Sequence, residues 1–242
     1  MKEFGKYFIF LSTLFSKREP FRVYWKLVFN EAEAIGINSI LIVVIFSVFM
    51  GAVTVIQTSY NLVNPLVSRD VIGMVARDTT ILEFAPTVLA IVFAGKVGSH
   101  IAGELGTMRI SEQIDALKVM GINAASYLVL PKIVASIITY PMLVIIACFL
   151  SLLGGYMAGV YTGILTDNEY IVGIRTEFSG FNIIFALVKS VVFAFLISSI
   201  SSFKGYFTKG GALEVGKAST SAVTASCIAI LLADYLLAQL LL

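Results

Sequence analysis

Residues 35–56, IGINSILIVVIFSVFMGAVTVI, contain no charged side chain. A bilayer core about 30 Å thick takes about 20 apolar residues to cross as a helix, so this segment is long enough to span. Four further runs meet the same test: 81–102, interrupted by Glu83 and Pro86, then 133–160, 181–203 and 219–242. In lipid every backbone polar group must find a partner within the protein, and long runs without strand alternation achieve this only as helices. The expectation is an all-α integral membrane protein with about five transmembrane helices and a permease domain over 35–242. A composition of 58% hydrophobic and 13% charged residues, with mean hydropathy +0.94, excludes an ordinary soluble domain. The net charge of +2 is too small to point to a nucleic-acid partner.

Lysine and arginine are unevenly placed. With the amino terminus inside, residues 1–34 hold six, 96–132 four and 204–218 three. The opposite face carries Arg69, Arg77 and Arg175, and Lys189 falls within a span. This asymmetry predicts a multi-pass protein with a cytosolic amino terminus and a carboxyl terminus on the outer face.

Residues 1–34 read as interfacial. Phe4, Phe8, Leu11 and Phe15 recur at helical spacing beside Lys2, Lys6 and Lys17, and Pro20 opens a second short helix. Phe21, Trp25, Val28 and Phe29 are expected on one face of that helix, as an elbow lying in the inner leaflet. The stretch is aromatic-rich and lacks a small-residue cleavage site, so it is not read as a signal peptide.

Catalytic and metal chemistry find little support. Cys148 and Cys227 lie in apolar runs without metal-ligand spacing, and His100 has no Cys or His nearby in sequence. Gly95-Lys96 imitates a nucleotide-binding loop, but Val97 follows where Ser or Thr is required. No cofactor is expected in this chain, and any ATP must be used by a partner.

Residues 103–132 are too patterned for a passive loop. Ile110, Ile114, Leu117, Val119 and Met120 alternate with Arg109, Glu112, Asp115 and Lys118 in a helical rhythm that ends at Gly121. An amphipathic helix over 104–121, between spans 2 and 3, either lies on the membrane or docks into a groove on a cytosolic motor subunit. The outer connection, 57–80, is unusually apolar. Tyr60, Leu62, Val63, Pro65, Leu66 and Val67 either extend the first helix or form the mouth of a cavity that meets a periplasmic partner.

Three ionisable residues sit within spans, where each costs about 2.5–3.5 kcal/mol at the bilayer centre. Lys189 and Asp234 fall at equal depth, roughly 12 Å in at about 1.5 Å per residue, and Glu83 lies nearer the outer end. Lys189 is therefore expected to face Asp234 or Glu83. Such a group either fixes packing or lines a polar pocket. Gly51, Gly154, Gly155, Gly159 and Gly163 are read as sites of close helix approach.

Asp115-Ala116-Leu117, with Gly121 beyond, resembles the Glu-Ala-Ala coupling loop of ABC importer permeases. The longer run LEFAPTVLAIVFAGKVGSHIAGELGTMRISEQIDALKVMGI resembles the core of the MlaE/YrbE permeases of lipid-trafficking ABC transporters. The family pattern is Glu-x-x-Pro, Ala-Gly-(Arg/Lys)-x-Gly-Ser, Ala-Glu-(Ile/Leu)-Gly-x-Met-Arg and Glu-Gln. It is met by Glu83, Pro86, Ala94, Gly95, Lys96, Gly98, Ser99, Glu104, Gly106, Met108, Arg109, Glu112 and Gln113. Leu82 departs from it, standing where related permeases often carry Arg.

The resemblance implies a homodimeric permease that binds a cytosolic ABC ATPase through Glu104, Arg109, Glu112, Gln113, Asp115 and Gly121. It further implies a periplasmic MCE-domain lipid-binding partner and phospholipid traffic between the inner and outer membranes. Glu83, Lys189 and Asp234, with Tyr60, Leu62, Val63 and Leu82, would line or border the lipid cavity. The competing reading is a secondary carrier or membrane scaffold in which Glu83, Lys189 and Asp234 form an ion relay or structural charge network.

Overall fold

A computed structural model describes residues 2–14, 21–62 and 68–241, the side chains of 2–4 and 21–22 excepted. The described residues form α1 (Lys2–Thr13), α2 (Phe21–Asn61), α3 (Asp70–Thr79), a π-helical stretch (Thr80–Val88), α4 (Leu89–Phe93) and a second π-helical stretch (Ala94–Gly98). They continue with α5 (Ser99–Ile110), α6 (Gln113–Val119), α7 (Ala124–Tyr161), α8 (Asp167–Arg175), α9 (Gly180–Tyr206) and α10 (Ala212–Leu241). Five helical stretches are long and apolar enough to cross a membrane: Val23–Asn61, Asp70–Ile110, Ala124–Tyr161, Gly180–Tyr206 and Ala212–Leu241. Large apolar side chains stand exposed along them, including Leu41, Phe49, Phe149, Ile184 and Leu232. A surface of this kind is stable against lipid and not against water.

Several expected boundaries move. α2 runs unbroken across residue 34, from Phe21 to Asn61. The expected shared face of its first turns also splits. Val28 is buried, whereas Trp25 and Phe29 point outward and pack on each other at 5.7 Å. The second span begins eleven residues early, at Asp70, and its helical stretch continues through α5, where Leu105 and Gly106 are buried beyond Ala102. Most of the outer connection is thereby absorbed into α2 and α3. An additional helix, α8, caps the other outer connection, opened by a capping box in which the Thr166 hydroxyl and the Glu169 carboxylate each accept from the other's backbone N–H.

Contacts divide the chain into two compact units, residues 1–39, 90–140 and 191–242 in one, and 40–89 and 141–190 in the other. In the second unit α2 and α7 touch through glycine. A Cβ on Gly51 would sit 1.7 Å from the Ser151 carbonyl oxygen, and one on Gly154 would sit 2.2 Å from that of Val48. Gly155 and Gly159 meet Val55 in the same way, so the packing reading holds for four of the five glycines. Gly163 is the correction: nothing lies near it, and its φ of +72° marks it as the residue that ends α7. α3 and α8 also cross closely, since a Cβ on Gly173 would meet the Asp70 carbonyl at 2.1 Å. Val55, Ile72, Ala76, Leu165 and Tyr170 close the core there.

In the first unit α1 docks on the end of α9. Phe10, 3% exposed, packs against Phe203, Tyr206 and Phe207 with ring centroids 5.3–5.7 Å apart. Tyr7 bonds Ser199 at 2.7 Å. Phe8, on the face expected to be interfacial, stands 66% exposed. The helix therefore has two apolar sides, one on the protein and one open.

Candidate functional site

Glu83 and Lys189 come together. Pro86 has no N–H to offer the preceding turn, and the carbonyl four residues before it, that of Leu82, accepts from Lys189 Nζ at 3.0 Å. The same ammonium reaches Glu83 Oε1 at 3.1 Å and lies 4.7 Å from the centre of the Phe185 ring. A π-helical stretch carries both Leu82 and Glu83; such wide turns are often found at functional positions. Lys189 is fully buried, whereas the Glu83 side chain is 47% exposed. The pair is thus lopsided: a sealed cation and a carboxylate with an open side.

Of the other expected cavity residues, Asp234 is partly buried on α10. Tyr60 is 83% exposed, and Leu62 packs against the core cluster at the α3–α8 crossing. Val63, with Pro65, Leu66 and Val67, lies outside the described residues. The sequence also hid Arg77 in a loop count. It is 1% exposed, donates to the carbonyls of Ile174 and Thr176 at 2.7 Å each, and is held by the Asp78 carboxylate. An arginine in an apolar-to-polar junction gives no periodic signal, so only the fold reveals it.

The expected amphipathic helix over 104–121 is two helices. α5 ends at Ile110 and α6 starts at Gln113, with Glu112 at φ +61° between them. That left-handed conformation is strained for a residue with a Cβ, and it turns the chain sharply. Gly121, at φ +79°, ends the segment. Ile114 is buried completely, while Val119 and Met120 stand 89% and 65% exposed. Asp115 accepts from Arg109 at 2.6 Å and from Lys118 at 3.1 Å, and these bonds, that of Lys118 foremost, hold its carboxyl below the ordinary carboxylate range. Gln113 donates to Ser111 at 3.1 Å.

Glu104 behaves differently from the rest of that segment. Lys132 Nζ, 2% exposed, is bound at 2.7 Å by both Glu104 Oε2 and Glu31 Oε1, tying α2, α5 and α7 together. His100 lies 3.8 Å from the same Glu104 oxygen. Lys132 had been counted only as a loop charge. Among the described residues no group of three or more His, Cys, Asp and Glu side chains gathers as a metal site.

Comparison with known proteins gives a consistent answer. The family model described as "Permease MlaE" matches residues 28–240. A "Probable ABC transporter permease protein" of Rickettsia bellii is 38% identical over 98% of this chain and 91% of its own length. The "Intermembrane phospholipid transport system permease protein MlaE" of Haemophilus influenzae is 25% identical over 91% of this chain and 84% of its own. "Protein TRIGALACTOSYLDIACYLGLYCEROL 1, chloroplastic" of Arabidopsis thaliana is 33% identical over 90% of this chain and 62% of its own.

Proposed function

The chain belongs to the MlaE family of ABC transporter permeases, and from that premise we propose that it is the membrane subunit of a phospholipid transporter. In this reading it works as a homodimer in a bacterial inner membrane, with a cytosolic ATPase on one side and a periplasmic MCE-domain lipid-binding protein on the other. The phospholipid assignment draws on the printed name of the Haemophilus influenzae relative. It also draws on the open side of Glu83, an anionic hydrogen-bond acceptor backed by a buried ammonium.

The observation that carries the reading is α6. A helix of seven residues is set off by a strained turn at Glu112 and a glycine stop, and it leaves Val119 and Met120 exposed at its end. That is an apolar tip without a place in its own chain, suited to a groove on a motor subunit. ATP-driven closure of the motor would push α6. Because α5 continues directly from the second span, the push would pass along one helical stretch toward Glu83.

Glu112→Lys tests this. Its side chain is exposed and the substitution leaves the Asp115 bonds in place. ATP hydrolysis by the assembled transporter should then proceed without lipid movement between donor and acceptor vesicles. Unchanged lipid movement would remove α6 as the coupling element.

A further inference from the structure

A cavity of about 770 Å³ opens beside α1, lined by Lys6, Phe10, Arg109, Lys204, Phe207 and Lys209 among others. Four of its lining residues are cationic and none is acidic. A second, mostly apolar groove of about 340 Å³ runs along Ile200, Ala225, Ile228 and Leu232. The two share Phe203 and Lys204, so the cationic cavity lies directly beside the apolar groove. Volumes of this size are those of ligand sites. A ligand that fits both must be an anion on one end and a hydrocarbon chain on the other.

We propose that this pair of cavities is a binding site for an anionic phospholipid, with the phosphate among Lys6, Lys204 and Lys209 and an acyl chain in the groove against α10. Charge complementarity chooses the occupant: an anionic headgroup is drawn by clustered lysines at a membrane surface. A soluble partner would gain nothing from the apolar groove. Arg109, which Asp115 holds at 2.6 Å, stands at the edge of this cluster as a further cation. The wall formed by α1 precedes residue 28, where the family match begins. The site is distinct from Glu83 and Lys189 and does not depend on the transport reading. Its consequence is that lipid composition sets how firmly α1 is clamped to α9.

The test uses the full chain, purified in mild detergent with whatever subunits accompany it. Native mass spectrometry would follow binding of phosphatidylglycerol, phosphatidylcholine or inorganic phosphate. A phosphatidylglycerol bearing a headgroup photocrosslinker would map the place. The expected result is retention of phosphatidylglycerol over phosphatidylcholine, with crosslinks in residues 6–13 and 203–209. Lys6→Gln and Lys209→Gln, both at exposed positions, should each weaken retention roughly five-fold. Ala229→Phe, which fills the groove, should lower lipid retention and leave phosphate binding unchanged. Equal retention of the two lipids would overturn the proposal, as would crosslinks confined to the region of Glu83 or phosphate binding as tight as that of the lipid. Loss of a copurifying subunit from the lysine variants, with lipid retention intact, would reassign the surface to a protein. Glu83→Ala serves as the separate control: it should impair transport without moving the crosslinks.

Discussion

The lopsided pair of Glu83 and Lys189 makes an unequal prediction for its two halves. Glu83→Ala takes the carboxylate from an ammonium with 0% exposure, which keeps the Leu82 carbonyl and the Phe185 face among its contacts. Removing one partner of a buried ion pair costs about 3–5 kcal/mol. Lys189→Met keeps the aliphatic stem and its contact with the ring, and strands a carboxylate that is 47% exposed and able to recruit water. Its cost should be only about 1–2 kcal/mol, nearer to that of an exposed pair. The double variant has no buried cation and should resemble Lys189→Met, giving a coupling energy of about 3–5 kcal/mol in the double-mutant cycle. Thermal unfolding of purified protein would measure it. At roughly 2–4 °C per kcal/mol for a chain of this size, Glu83→Ala loses on the order of 10 °C and Lys189→Met a few degrees. Equal losses, or a larger loss for Lys189→Met, would refute the argument that burial of the cation governs the pair.

Further expectations concern packing and charge away from that pair. Gly154→Leu drives a side chain into the Val48 backbone and should separate α2 from α7, lowering the unfolding temperature by several degrees, whereas Gly95→Ala, which meets nothing within 4 Å, should not. Lys132→Met leaves Glu31 and Glu104 facing each other and should destabilise the protein. Adding Glu31→Gln should restore most of the loss, and failure of that rescue in thermal scans would count against the three-way contact. The Glu169 carboxyl is held below its ordinary value, first by the Thr166 backbone N–H and then by its hydroxyl. A depressed carboxylate stabilises above its unfolded pKa and loses that contribution as pH falls through the lowered folded value. Amide protection in α8, taken relative to intrinsic exchange at each pH, should therefore be steady at neutral pH and fall in the acid range, and Thr166→Ala should lower it at neutral pH as well.

Much was legible before any coordinates. Five apolar runs specified five spans, because hydrophobic length is additive along the chain and the bilayer reads it segment by segment. The run from Leu82 to Ile122 identified the family, and Gly51 and Gly154 announced close helix approach. Partnerships were less accessible. Depth left Lys189 facing either Asp234 or Glu83, and the structure joins it to Glu83, through a π-helical turn that no periodicity predicts. Arg77 and Lys132 looked like loop charges and are sealed inside the protein. The segment before Gly121 broke into two helices at a left-handed glutamate. Which residues enter the membrane follows from local composition. Which charges meet there depends on how helices distant in sequence are rotated and set in register, and that is decided by packing across the whole bundle.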